Sequence, residues 1–347
     1  MSLIPTVYRS TDPGAPVLTG QAGSLIALLH AVLVTGYGSG ANVKPGAGWT
    51  RPFSSSGVHV YRNSPVNGSG AYLRVRDDAS ADMLNTPALA QALAYSSMTD
   101  IDTGADRTPS VARQAQGSLI AKAPAAGTAA RRWMVVATDI GFYLFTQWFT
   151  YPNNPNAMGA YFFGDINTAV GGDAFPFAVF GADQLSSYNA TWNNNVCSLF
   201  FASTVDAEVS GTGNRTTLGV PGGFIMRSYS DGLSAPGRIA TCGVGHGASG
   251  TTNYSYGSGQ YRKGPDPAHG GYNYIAAAVR EASHALRGYL PGVLVPLHSR
   301  PYTEGAIVPF VEGIGLGQWL AVNYNVAEPD VADRNGQVLF RLDAPWK

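Results

Sequence analysis

Apolar and polar positions change period once along this chain. Between Gln21 and Gly38 the apolar residues recur at helical spacing: Leu25, Leu28, Leu29, Val32 and Leu33 share one face, and Ile26 widens the stripe. Gly36 and Gly38 supply the stop, because glycine enters the left-handed conformation that ends helices without steric cost. The pattern predicts one short buried helix, with His30 as a polar-edge or satisfied core histidine. Ahead of it, residues 5–20 are rich in Pro, Gly and Thr and read as an extended arm.

After Gly48 the period falls to two. Val58–Arg62 and residues 71–76 alternate as half-buried strands do, with Asn67-Gly68 as a turn between them. Arg74 and Arg76 then project opposite Leu73 and Val75. Residues 88–94 fit a short helix on alanine propensity or a plain strand, and residues 275–286 share that ambiguity. Residues 119–123, 133–138 and 142–149 read as a three-strand meander with a tight turn at Asp139-Ile140-Gly141. Short β-branched or aromatic runs follow at 160–164, 175–180, 196–202 and 224–229, bounded by Gly, Asn and Asp. Residues 316–323 and 338–343 read as a closing hairpin around Asn335-Gly336. The expected fold is mainly β, as a sandwich or meander sheets, with one short N-terminal helix packed on a sheet and a minor α+β component.

A chain of 347 residues accommodates two domains or one large β domain. The division expected here is an arm at 1–20, a helix-plus-β domain at 21–205 and a second β domain at 206–347, or a single domain throughout. Residues 243–273 are rich in Gly, Ser, Thr and Tyr, and read as a long ordered excursion suited to partner contact. No fixed-period repeat is visible.

Charge changes the picture most. Charged residues make up 13% of the chain, with 22 basic and 22 acidic side chains and a net charge of zero, against a usual charged share of about 25%. Without a basic excess, neither nucleic acid nor an anionic membrane is an expected partner. A charge-poor surface is weakly protected against association, which suits a protein covered by its neighbours. Cys197 and Cys242 set no disulfide framework and read as buried free thiols, consistent with assembly in a reducing cytosol. The first residues do not read as a signal peptide, and no apolar run is long enough to span a membrane. The N-x-(S/T) triplets at Asn67, Asn189, Asn214 and Asn253 read as chance matches.

Catalytic chemistry finds little footing. There is no G-x-S-x-G elbow. The six histidines, at 30, 59, 246, 269, 284 and 298, have no metal-pair spacing. Asp100, Asp102 and Asp106 alternate around Gly104 and faintly match a calcium loop, but the terminal bidentate glutamate is missing, and an Asx-rich turn is the plainer reading. The glycines of 36–40 and 313–317 are not followed by a phosphate-cradling helix. A glycan hydrolase has no sequence support, since its carboxylate pair is set in space. No enzyme, catalytic residue or cofactor is expected. Tyr254, Tyr256, Tyr261, Tyr272 and Tyr274, interleaved with Gly and Ser, are candidates for a subunit interface or for stacking on a host glycan. Trp49, Trp133, Trp319 and Trp346 read as core anchors before interface anchors.

The helix, its Gly36-Tyr-Gly38 stop and the segment Gly48-Trp-Thr-Arg-Pro-Phe53 resemble the start of a family of tailed-bacteriophage virion proteins. Met98-Thr-Asp-Ile-Asp-Thr-Gly104, residues 133–145, Tyr161-Phe-Phe-Gly-Asp165, residues 286–302 and Trp319-Leu-Ala-Val-Asn323 resemble later blocks of that family in the same order, while residues 203–275 match no block. The resemblance implies a virion structural protein without an active site, located in the particle and assembled in the host bacterial cytoplasm. Its partners would be itself, as a homo-oligomer, and other virion proteins. Tail, collar or baseplate is the leading place. Capsid decoration is one alternative, and a receptor-binding module holding host surface polysaccharide on residues 243–273 is another.

Overall fold

The computed structural model describes residues 3–78, 88–112, 114–147, 158–181, 222–230, 232–233, 236–243, 271–281, 285–296, 301–311, 314–325 and 335–347. One helix, α1 (Ser24–His30), continues as a π-helical turn over Ala31–Thr35. In chain order the strands are β1 (Thr6–Arg9), β2 (Thr50–Ser55), β3 (Val58–Arg62), β4 (Tyr72–Arg76), β5 (Ala88–Tyr95), β6 (Ser97–Met98), β7 (Gly104–Ala105), β8 (Ser118–Ala123), β9 (Trp133–Ala137) and β10 (Gly141–Thr146). They continue as β11 (Gly159–Asp165), β12 (Asn167–Thr168), β13 (Phe177–Gly181), β14 (Gly222–Arg227), β15 (Pro236–Gly243), β16 (Tyr274–Glu281), β17 (Leu286–Pro296), β18 (Ile307–Val311), β19 (Gly315–Asn325) and β20 (Asn335–Arg341). The fold is mainly β, and among the described residues no helix is long and apolar enough to cross a membrane.

The strands form a large sheet in the order β1-β9-β10-β11-β13-β14-β15-β16-β17-β20-β19-β18, with β12 beside β17, and a small sheet β2-β3-β4-β5-β8. Their side chains explain how the two sheets stack. Along β9, β10, β11 and β13, alternate residues point to opposite faces. Val135, Phe142, Leu144, Phe163 and Val179 join the helix stripe and the inner face of the small sheet in one core. Val136, Tyr143, Phe145, Phe162 and Phe180 join Val279, Val295, Leu320, Phe340 and Trp346 in a second. The large sheet therefore folds back on itself, and its N-terminal strands are the middle layer. That position, buried on both faces, is why these strands read as unbroken apolar runs.

Leu25, Leu28, Leu29, Val32 and Leu33 are fully buried and Ile26 nearly so, in the core shared with the small sheet. Gly36 ends the helix at φ 76°, where a Cβ would lie 2.3 Å from the Lys44 carbonyl. The four tryptophans named above are all buried. Trp49 packs edge-on against Phe142 with ring centroids 5.6 Å apart, and its indole N–H donates to the Thr138 carbonyl at 2.9 Å.

The structure adds detail to several expectations. The extended stretch at residues 5–20 is tied to the sheet: β1 is laddered to β9 from Thr6↔Ala137 to Arg9↔Met134, and Leu18 bridges Arg131. The proline and glycine around this strand concealed four alternating residues. The ambiguous 88–94 segment is strand β5, fully buried. Of residues 275–286, those at 275–281 are strand in β16 and Leu286 opens β17, while 282–284 lie outside the described residues. Asn67-Gly68 does lie in the turn between β3 and β4, at the tip of a longer loop. The β3–β4 ladder ends at Arg62↔Tyr72, and the loop between is held by Asp165, which accepts from the Ser69 N–H and hydroxyl at 2.6 Å each. Asn335-Gly336 lies inside the β19–β20 ladder, as Asn325↔Asn335 and Tyr324↔Gly336, and not at its turn.

The boundary expected at 205–206 lies outside the described residues, and the strands on either side of it, β13 and β14, are neighbours in one sheet. The strand expected at 196–202, with Cys197, also lies outside them. Cys242 is in β15.

Candidate binding site

Where β1 meets β9, the chain leaves the sheet at Arg9 and turns through Ser10 and Thr11. Asp12 fixes that turn. Its Oδ2 accepts from the Arg9 N–H at 2.7 Å, the Tyr37 hydroxyl at 2.6 Å and the Lys44 ammonium at 2.7 Å. Burial pushes the Asp12 carboxyl up, but these hydrogen bonds from Lys44, Tyr37 and Arg9 outweigh it and hold the group below its ordinary pKa. Ser10 is pinned to Trp133 through its N–H, which donates to the Trp133 carbonyl at 3.0 Å. The Trp133 indole donates in turn to the Pro16 carbonyl at 2.9 Å.

This corner opens into a cleft of about 190 Å3. Buried Trp133, Met134, Phe145, Met158 and Val322 contribute apolar surface, and half-buried Arg9 and exposed Arg132 also line it. Glu304 and Asn323 also line the cleft. The Asn323 N–H donates to Glu304 Oε2 at 2.5 Å. Buried Gln337 sets the Asn323 amide: its Nε2 donates to Asn323 Oδ1 at 2.7 Å and to the Tyr302 carbonyl at 2.6 Å. Asn323 keeps its NH2 as the remaining donor. Arg9 has no ion pair among the described residues. Two guanidiniums, a carboxylate, an amide and two hydroxyls thus share the lining with apolar side chains, the mixed character common in small-molecule clefts.

No protein-family model matches the chain, and no curated protein matches it.

The residues singled out from the sequence fall elsewhere. Tyr254, Tyr256 and Tyr261 lie outside the described residues. Tyr272 packs edge-on against Tyr302 with centroids 5.7 Å apart, and the Tyr274 and Tyr302 hydroxyls are hydrogen-bonded. Through Tyr302 and Gln337 this aromatic group adjoins the Asn323 side of the cleft. The three aspartates take separate partners. Asp102 binds the Arg74 guanidinium at 2.5 Å, Asp106 binds that of Arg227 at 2.6 Å, and Asp100 accepts the Ile101 N–H. Among the described residues no three His, Cys, Asp or Glu side chains are grouped to hold a metal.

Arg74, expected on the strand face opposite Leu73 and Val75, is nearly buried because the 97–102 segment covers it. His30 lies edge-on to His59 at 5.8 Å. Arg9, Arg132, Glu304 and Asn323 had no signal in the sequence, because they are brought together only when the large sheet folds back.

A second surface feature is the β18–β19 hairpin. Ile307, Phe310 and Ile314 are about half exposed and Leu316 is 79% exposed. Phe310 sits opposite Leu316 in the ladder. Strand β18 ends the large sheet, with no strand beyond it among the described residues.

Proposed function

We propose that this chain is a structural subunit of a tailed-phage virion, in the tail, collar or baseplate, and that it acts by protein–protein assembly. The observation that carries the reading is the apolar hairpin on the terminal strand of the large sheet. Exposed sheet edges pair with other chains unless they are blunted by charge, and contiguous apolar surface marks an interaction site. Here Phe310 and Leu316 stand side by side at such an edge, in a chain with half the usual charge. The partners proposed are further copies of the chain, as a homo-oligomer, and other virion proteins.

Four of the segments that carry the phage resemblance, at 48–53, 133–145, 161–165 and 286–302, also pack on one another. Trp49 contacts Phe142, Phe142 contacts Phe163 at 5.5 Å, and the Tyr143 hydroxyl donates to the Pro291 carbonyl at 2.8 Å. These four are thus part of one packed core and not scattered surface matches, which supports reading them together.

Mass spectrometry of purified particles, with immunogold negative stain to locate the chain, tests the proposal. Label on the tail, collar or baseplate is the expected result. Label over the shell would move the chain to capsid decoration, and absence from purified particles would overturn the virion reading.

A further inference from the structure

We infer that Lys122 and Asp77 condense into an amide bond that ties β8 covalently to the chain just after β4. Lys122 Nζ is in direct contact with Asp77 Oδ1, and the two side chains are 2% and 0% exposed. The chain around them is buried as well: Ala121 and Ala123 flank Lys122, and Leu25 and Ile26 of α1 sit against Asp77. Two ions held there forgo most of their hydration, and condensation replaces both by one neutral amide. The other lysine–carboxylate pair among the described residues shows the contrast. Lys44 and Asp12 are 27% and 14% exposed, and hydrogen bonds hold the Asp12 carboxyl below its ordinary pKa. At Asp77 burial outweighs the Lys122 charge and the hydrogen bonds, and pushes the carboxyl up. That shift favours passing a proton from ammonium to carboxylate, which gives the amine and acid that react.

The step balances without help. One proton passes from the Lys122 ammonium to Asp77 Oδ1. The free amine attacks Asp77 Cγ, the C–N bond forms, and the carbonyl electron pair moves on to Oδ2. That oxygen already accepts the Leu25 N–H at 2.8 Å, and the Ile26 N–H is also bonded to the carboxyl. Backbone donors therefore stabilise the charge as it develops. The intermediate collapses by breaking the Cγ–Oδ1 bond, and Oδ1 leaves with one amine proton as water. Nothing is oxidised or reduced, and no co-reactant is consumed. The fixed contact replaces a bimolecular encounter, which raises the effective concentration of the two groups by orders of magnitude. The link does not depend on the virion proposal. A linked chain absent from particles would fail only that proposal, and a virion subunit without the link would fail only this one.

Intact mass spectrometry of the full chain, folded, incubated and then denatured, tests the inference together with peptide mapping. The expected mass is one water below that of the sequence. A tryptic map should contain a branched peptide joining Asp77 to Lys122, with no cut after Lys122. Mass alone does not decide, because Asp231-Gly232 also loses water when the aspartate cyclises onto the following amide; the branched peptide does. Lys122→Arg keeps the positive charge and the N–H donors in a side chain that forms no such amide, and should keep the full mass. Asp77→Leu/Lys122→Met replaces the pair by apolar groups, so that the site folds without buried ions, and should keep the full mass too. The full sequence mass in the folded parent chain would overturn the inference and leave a plain ion pair. So would a water loss that persists in both variants, or a map that places the link between other residues.

Discussion

Asp77, just past the end of β4, and Lys122 of β8 form an ion pair with both side chains buried, at the first turn of α1. The helix has Gly23 at its N-cap and no side-chain cap of its own. Asp77 replaces it from more than fifty residues away: its Oδ2 accepts the Leu25 N–H at 2.8 Å and its carbonyl accepts the Gly23 N–H at 2.7 Å. The Lys122 ammonium also donates to the Gln21 carbonyl at 2.5 Å. A helix N-terminus favours a negative charge, so this pair fixes the helix onto the small sheet.

Removing one partner strands the other. Asp77→Ala should cost about 3–5 kcal/mol, because it leaves a buried ammonium unpaired. The double variant Asp77→Leu/Lys122→Met should be more stable than Asp77→Ala, losing mainly the cap, worth about 1 kcal/mol. Urea unfolding of the single and double variants gives the coupling. Additive losses would show that the pair does not act as a unit.

Leu29 is fully buried in the same core. Leu29→Ala should cost about 2–5 kcal/mol, the range for a leucine-sized cavity that relaxes only in part. Thermal unfolding of the isolated chain reads this directly, and an unchanged melting temperature would refute the core assignment.

How much of this was legible in the sequence follows from the range of the interactions. The helix was legible because Leu25 to Leu33 repeat at 3.6 residues, and β9, β10, β11 and β13 because their apolar runs are dense. Residues 88–94 were ambiguous, since alanine favours helix locally while burial between neighbouring strands decides for β5. Thr6–Arg9 was hidden because four residues between prolines give no period to detect. The Asp77 cap, the arginine partners of Asp102 and Asp106, and the whole cleft depend on which distant strands meet. Asp106 and Arg227 are 121 positions apart, and local pattern carries no trace of such a pairing.

His59 makes stability pH-dependent. Burial first, then the charges of Arg51 and His30, push its pKa down to about 4 from 6.5. Its Nδ1 lies 3.1 Å from the Tyr61 hydroxyl, which itself donates to the Ile26 carbonyl. A lowered histidine pKa means that the unfolded chain binds the proton more readily. The contribution is therefore complete above about pH 6.5 and falls away as pH drops towards 4. Denaturant midpoints at pH 7 and pH 4.5 should separate less in His59→Gln than in the parent chain. Equal separations would rule out His59 as the titrating group.

The exposed hairpin separates stability from assembly. Leu316 and Phe310 project outward from β19 and β18, while Trp319 and Val308 of the same ladder are buried. Leu316→Lys and Phe310→Lys should leave stability within about 0.5 kcal/mol, as surface changes do. Trp319→Ala should cost about 3–5 kcal/mol, because it opens a cavity in the satellite core beneath. If the hairpin is the assembly surface, the two lysine variants will melt like the parent chain yet fail to enter particles in a complementation assay. The edge then carries a charge that a pairing strand would have to bury. A lysine variant that folds, melts normally and is packaged at parental levels would remove the hairpin from the interface. The virion proposal would then have to rest on another surface.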